Sequence, residues 1–467
     1  MSDQPRRQRV VIVGAGFAGF HAARTLGRLS TLTKGAAELV VINSTDYFLY
    51  LPLLPEVAGG ILEPRRVSVP LAGNCPGARL VLGTVDEIDL KARRLSFVDP
   101  EGDRDSLSYD RLVLAIGSVN KLLPIPGVAE HAHGFRSLGE AMYMRDHLVR
   151  QIELADASDD PAEREARCTF VVVGAGYTGT EVAAQGQLLT IEAARRRPGL
   201  QQQRLRWLLV DLAPKVLPEL DPRLSSTAEK VLSGRGVEIR TSTTVKEATS
   251  EGVLLSDGEF VRTRSLIWCV GVRPDPLVER LDLPTNRGRL VVDEYLSVPD
   301  HPELFGCGDA AAVPDLTRPG QITPMTAQHA ERQGRVAARN VAASLGLGRR
   351  RAYRHHDLGF VVDLADGDAA ANPLGVPLAG LPAKAVTRGY HLLSIPSNRL
   401  RVAADWALDA VLPRQTVQLG LIRGEAVPLV SEPLARGSAP ARGPSPPPAP
   451  DAARPAPGSD GPGAPEK

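Results

Sequence analysis

The sequence predicts an α/β fold with two parallel-sheet domains of one type and a smaller C-terminal α+β region. Three observations lead there. A segment recurs: Arg9–Phe20 reads RVVIVGAGFAGF and Thr169–Thr180 reads TFVVVGAGYTGT, 160 residues later. Each copy runs from a β-branched apolar stretch through GxGxxG into an alanine-rich amphipathic stretch, the order strand, tight turn, helix. Further apolar runs alternate with helical patterns around both copies, which implies parallel sheets covered on both faces. The spacing exceeds the roughly 20–50 residues of a short-repeat array, so a whole domain type is duplicated.

The 467 residues suffice for two or three cores. Strands are expected at Glu38–Ile42, Arg79–Val85, Arg94–Phe97 and Leu112–Ala115 around the first copy. Around the second they are expected at Arg206–Val210, Glu238–Thr241, Gly252–Leu255 and Leu266–Val270. The run GVLLSDGEFV carries an Asp-Gly turn and predicts an antiparallel insert. A helix is expected over Met325–Leu345, and mixed short strands and helices follow from about Arg351. The expected division is 1–125 and 291–348 for the first nucleotide-binding domain, 126–290 for the second, and 349–432 for the C-terminal domain. Residues 433–467 hold 11 prolines and one large hydrophobe, Leu434, and are expected to form a solvated, disordered tail.

Composition excludes several classes. Lys+Arg 55 against Asp+Glu 54 and a pI near 7.8 argue against nucleic-acid binding. Four cysteines, none in a close pair, make neither a disulfide framework nor a zinc site, and point to a reducing cytosol. His131/His133 and His355–His356 lack further ligand spacing, so no metal is expected. No window is apolar enough for a transmembrane helix, and the N-terminal apolar run ends in glycines as a strand would, not as a secretory leader.

The glycine turns carry the chemistry. In such a turn the first glycine makes the bend, the second lets backbone approach a pyrophosphate, and the third lets helix and strand pack closely. Those residues are Gly14, Gly16 and Gly19, then Gly174, Gly176 and Gly179. The helix N-terminus then meets the phosphates with free N–H groups and its dipole. An acidic residue at the end of the next strand completes the fingerprint by binding ribose. Asp211 fills that position in the second copy, with no arginine beside it, which favours NADH over its 2′-phosphorylated form. Asn43 fills it in the first and can bond ribose without charge.

Two nucleotide sites suggest a flavin beside a nicotinamide. The segments VVIVGAGFAG, YLPLLPEVAGG, YDRLVLAIGS, VVVGAGYTGTE, IWCVGVRPDPL, LFGCGDAAAV and TAQHAERQG, in this order, resemble the two-dinucleotide-binding-domain flavoproteins, and within them the type II NADH:quinone oxidoreductases. The resemblance implies two Rossmann-like domains, FAD and NADH as cofactors, and a quinone as acceptor. It places FAD on Gly14, Gly16, Gly19 and Gly117, with Asp309 on the ribityl chain and the alanine-rich helix beyond aimed at the cofactor. It places NADH on Gly174, Gly176 and Gly179, with Gly271 near the nicotinamide and Glu181 beside nicotinamide and flavin. The stretch Ala327–Gly334 matches the family's quinone pocket, with Gln328 as its glutamine and Arg332 where a second glutamine is common. A charge there would act on the flavin or on the acceptor.

Disulfide reductases and sulfide:quinone reductases fit less well, because no cysteine stands where their chemistry needs one. Residues Lys384–Arg423 carry a basic excess interleaved with Tyr390, Trp406 and leucines. With the family's habit, this suggests a membrane-facing region with an aromatic anchor from among Tyr390 and Trp406, on the inner face of the cell membrane. A solvated basic surface over a third small domain, or a homodimer interface, is the competing use of that region. Two other functions remain open: a soluble NADH-dependent flavoprotein reductase with a non-quinone acceptor, and a redox-sensing flavin/NADH-binding protein.

Overall fold

The computed structural model describes residues 7–32 and 37–429. The tail expected at 433–467 lies outside the described residues.

Alternating β-branched runs form two parallel sheets. The first has six strands in the order Ser297–Val298, His301–Gly306, Arg111–Leu114, Gln8–Val13, Ala37–Asn43 and Ala78–Leu82. All its pairings are parallel except the hairpin at the Ser297 edge. Residues near 300 thus return to a sheet begun at residue 8. The second sheet orders Ala132–Gly134, Ser265–Trp268, Thr169–Val173, Arg206–Val210 and Val237–Arg240, all parallel. The central strands are buried along their length, which is why they read as unbroken apolar runs rather than alternating ones.

The expected strand Arg79–Val85 is a correction. It divides at Gly83, whose N–H donates to the Asn43 carbonyl at 2.9 Å, and Thr84–Asp89 leaves for an antiparallel three-stranded sheet with Arg94–Val98 and Arg104–Ser108. A side chain at Gly83 would press on the Phe97 ring, 2.7 Å away. The Asp-Gly hairpin forms as expected, with Gly252–Leu255 antiparallel to Phe260–Arg262.

Two helices leave the glycine turns, Phe17–Leu32 and Tyr177–Arg195. The helix expected over Met325–Leu345 spans Ala327–Ser344, begins at a Thr326 cap, and packs on Phe17–Leu32. Their close approach depends on Gly334, where any Cβ would overlap the Ala18 carbonyl. The GDAAA segment before it is a single 3-10 turn, Gly308–Ala310, and a short strand, Ala311–Ala312. Beyond residue 350 lie a small sheet of Val361–Asp363, Ala369–Ala371 and Leu378–Ala379, then helices Gly380–Ser394 and Arg399–Asp409. Among the described residues no helix is long and apolar enough to cross a membrane.

The two turns make a testable contrast. A Cβ at Gly19 or Gly179 would overlap the carbonyl of Gly14 or Gly174, whereas at Gly16 or Gly176 it meets nothing within 4 Å. Gly19→Ala and Gly179→Ala are expected to cost about 1–3 kcal/mol in urea unfolding. Gly16→Ala and Gly176→Ala should stay within about 0.5 kcal/mol, all measured after removal of bound nucleotide.

Candidate functional site

The two turns share their geometry atom for atom. Gly14 N–H donates to Ile42 O at 2.8 Å and Gly174 N–H to Val210 O at 2.7 Å. Both residues have positive φ, +89° and +105°, and a Cβ on either would strike the carbonyl of Ala115 or Cys269, each just past the end of the neighbouring strand. The middle glycines alone face open space. That is the cradle a pyrophosphate needs, with a helix N-terminus behind it.

The strand-end residues brace these turns. Asn43 accepts the Ala15 N–H on Oδ1 at 2.8 Å and donates its amide to Thr45. Asp211 accepts the Ala175 N–H on one oxygen and the Ala213 N–H on the other, the latter at 2.7 Å. An asparagine therefore does for the first turn what the aspartate does for the second.

A two-stranded antiparallel ribbon brings the sites together: Ser118–Asn120 pairs with Val272–Pro274. It begins one residue beyond Gly117 and one beyond Gly271, both with positive φ, so the exits of both sheets meet there. Asp309 stands beside the same ribbon, accepting the Ser118 hydroxyl on Oδ2 at 2.6 Å. Its turn is held from behind. Buried Arg289 donates to the Asp309 and Thr323 carbonyls, and buried Gln333 accepts the Gly308 N–H at 2.8 Å. Ser118, Arg289 and Gln333 escaped the sequence reading, although Gln333 lies next to the singled-out Arg332.

On the Ala327–Ser344 helix, Gln328 and Arg332 point to one segment, as their one-turn spacing implies. Gln328 donates to Gly359 O at 2.8 Å, while its Oε1 is buried and unpartnered. Tyr177 OH is a second buried orphan, and its ring stacks on Phe360 next to Gly359. Two unspent polar atoms flanking residues 359–360 suit a ligand with hydrogen-bonding oxygens. Arg332 is already engaged: its guanidinium donates to the His356 carbonyl and to His355 Nδ1 at 3.1 Å.

Glu181 is half-buried in a polar cluster that the sequence did not reveal. Its carboxylate accepts the Asp363 N–H at 2.8 Å, and Asp363 pairs with Lys384 at 2.7 Å to both oxygens. Burial, reinforced by the Asp363 and Glu56 charges, pushes the Glu181 carboxyl well above the ordinary range. Glu56 is buried, accepts the Trp406 indole N–H, and is pushed up to about 7 by burial and then by Asp363. Trp406 and Lys384 are thus corrections to the expected membrane face: both are buried, one against Glu56 and the other against Asp363. Exposed apolar residues nevertheless remain on this region, with Leu393 76% and Leu400 87% exposed.

All four cysteines are free, and burial pushes each thiol up, to about 11 for Cys75 and Cys168 and about 12 for Cys269 and Cys307. None is a thiolate nucleophile at neutral pH. Among the described residues no three His, Cys, Asp or Glu side chains group as metal ligands.

An α/β chain with two open glycine turns sharing one ribbon is a two-nucleotide oxidoreductase. Residues 8–334 match the family described as pyridine nucleotide-disulphide oxidoreductase. The chain is 30% identical over 419 residues to the type II NADH:quinone oxidoreductase NdhA of Mycobacterium tuberculosis, covering 86% of each. It is 28% identical over 409 residues to the demethylphylloquinone reductase NdbB of Synechocystis sp., covering 86% of this chain and 96% of that one. NDH2 from Plasmodium falciparum, solved in complex with NADH, shares the fold with a TM-score of 0.81 at 16% identity, over 88% of this chain and all of that one. The chain belongs to the pyridine nucleotide-disulphide oxidoreductase family and, within it, to the type II NADH:quinone oxidoreductases.

Glu56 makes stability pH-dependent. The folded state keeps its proton up to about pH 7, while the unfolded chain releases it near pH 4.3. Its contribution is complete below the unfolded value and is lost as pH rises through about 7. Urea unfolding at pH 5 and pH 8 should show the wild type losing about 1–3 kcal/mol more than Glu56→Gln.

Proposed function

We propose that this chain oxidises NADH through bound FAD and passes the electron pair to a quinone. The observation that carries the reading is the pair of open-faced glycine turns whose sheets lead to one shared ribbon, where two bound dinucleotides could meet. FAD supplies, when bound, a centre that takes up a hydride and gives up two electrons singly or together. The residues present fit it: open space at Gly16, the bend at Gly14, close packing at Gly19, the exit at Gly117, and Asp309 with one oxygen held and one free. Asn43 braces that turn and would bond a ribose hydroxyl.

Gly174, Gly176 and Gly179 would hold the NADH pyrophosphate, with Asp211 at the adenosine ribose and Gly271 leaving room near the nicotinamide. Glu181, whose carboxyl burial pushes well above the ordinary range, would serve as a proton donor where acceptor reduction needs one. Gln328, with its unspent carbonyl oxygen already paired on the amide side to Gly359, would line the quinone pocket. Arg332 would set the charge behind that pocket through the 355–356 segment. Exposed Leu381, Leu393, Leu400, Val411 and Leu421 support peripheral docking of the C-terminal region on the inner face of the cell membrane, where quinone dissolves. A homodimer would cover the same leucines. Anaerobic mixing with NADH and then with quinone, followed by flavin absorbance, tests the reading; protein whose flavin bleaches with NADH but never recovers with quinone defeats the acceptor assignment.

Asp211→Asn removes the charge while keeping the turn N–H accepted, as Asn43 does, at the loss of the Ala213 N–H bond. It should narrow the NADH-over-NADPH ratio of specificity constants about tenfold, roughly 1.4 kcal/mol, without unfolding the protein. Arg332→Gln should leave flavin reduction by NADH within about twofold while changing reoxidation by quinone several-fold, roughly 1 kcal/mol of barrier. Equal effects on both half-reactions would place Arg332 outside the acceptor path.

A further inference from the structure

We propose that Arg136 is a positioning residue for the flavin nucleotide, orienting the Asp309 carboxylate through the hydroxyl of Ser118. The inference rests on FAD occupying the first turn as proposed above. Arg136 Nη2 lies 3.0 Å from Ser118 Oγ, and Ser118 Oγ lies 2.6 Å from Asp309 Oδ2. A guanidinium has five donors and no acceptor, so Ser118 must accept from it. The one hydroxyl hydrogen is then directed at Asp309. Without Arg136 the hydroxyl becomes a rotor with other choices. Ser118 is 3% exposed, so water does not compete for it.

The remainder of the Asp309 surroundings has the same character. Its carbonyl accepts from Arg289 Nε at 3.1 Å, and the preceding N–H is held by Gln333. Backbone and Oδ2 are therefore fixed, while Oδ1 has no partner among the described residues. That arrangement presents one carboxylate oxygen in a set direction, which is how a ligand hydroxyl is received without reorganisation.

Arg136 is itself placed by a second network. Its main-chain N–H donates to Glu140 Oε2 at 2.8 Å, in the capping box of the Leu138–Asp156 helix, and Asn120 donates to the other Glu140 oxygen at 3.1 Å. Asn120 belongs to the ribbon, so the guanidinium is indexed to the place where the two nucleotide sites meet. Asp309, Glu140 and Asp275 surround it with negative charge, yet it makes no ion pair within 4.0 Å among the described residues. Its one side-chain hydrogen bond there is to Ser118. Gly117, beside it, would bring a Cβ to 3.9 Å from Nη2, and its positive φ keeps that corner free of side chain. An arginine serving only stability would take a carboxylate directly; this one acts on a hydroxyl.

The test is a double-mutant cycle on FAD affinity, read by release of flavin fluorescence on dilution of the holoprotein. Arg136→Gln and Ser118→Ala should each raise the FAD dissociation constant about tenfold. Because the two act in series, the double variant should also sit near tenfold rather than near a hundredfold. Arg136→Lys, which can still donate to Ser118, should restore affinity to within about threefold. An additive double variant, or an unchanged constant in Arg136→Gln, overturns the proposal. If Arg136→Gln does not fold, Ser118→Ala against Ser118→Thr decides: threonine should bind like the wild type and alanine weakly, and equal affinities overturn the proposal. Wild-type protein that takes up no FAD defeats the function reading instead, a result distinct from FAD-replete protein indifferent to Arg136.

Discussion

One steric constraint underlies the molecule: at Gly19 and again at Gly179 the helix runs so close to the preceding strand that a Cβ would overlap a backbone carbonyl. Everything near the cofactors follows from that proximity. With the helix start pressed onto the strand end, its unpaired N–H groups open on the C-terminal edge of the sheet, where parallel α/β folds bind ligands. The strand-end side chain, Asn43 or Asp211, can then reach across to the turn and hold it from the far side. The middle glycine is left as the one position with space in front of it. Since the same arrangement occurs twice, the ribbon at Ser118–Asn120 and Val272–Pro274 has only to join two identical edges.

The C-terminal region adds a different kind of constraint. It lays Asp363, Lys384 and Trp406 over Glu56 and Glu181, closing the Asp363 and Glu56 carboxyls and one ammonium away from water and half-burying Glu181. Separating charge there is costly, and the cluster answers it by pairing Asp363 with Lys384 and by pushing the carboxyls of the two glutamates upward. The exposed side of the C-terminal helices carries Leu381, Leu393, Leu400 and Leu408 beside Arg399 and Arg401, while Lys384, Thr387 and His391 are buried together with Ala383, Val402 and Trp406.

How much was legible can be judged residue by residue. The turns, the parallel strands flanking them and the two helices were readable because a glycine at positive φ and a β-branched run constrain the chain within a few residues. Asp309 and Gln328 were found only because their motifs resemble a family. Ser118, Arg136, Arg289 and Gln333 carry no local mark: their partners lie 10 to 191 residues away. Trp406 was misread for the same reason. Its neighbours suggested an anchor in an interface, but its indole N–H bonds a glutamate 350 residues earlier.

By itself, then, the sequence determined the two nucleotide-binding turns and their strand–turn–helix setting, since both depend on short-range backbone geometry. Tertiary structure alone decided which carboxyls are pushed up, which arginine steadies Asp309, and which side of the C-terminal helices faces out. These depend on desolvation and on contacts between distant segments, and both quantities exist only once the chain has closed on itself.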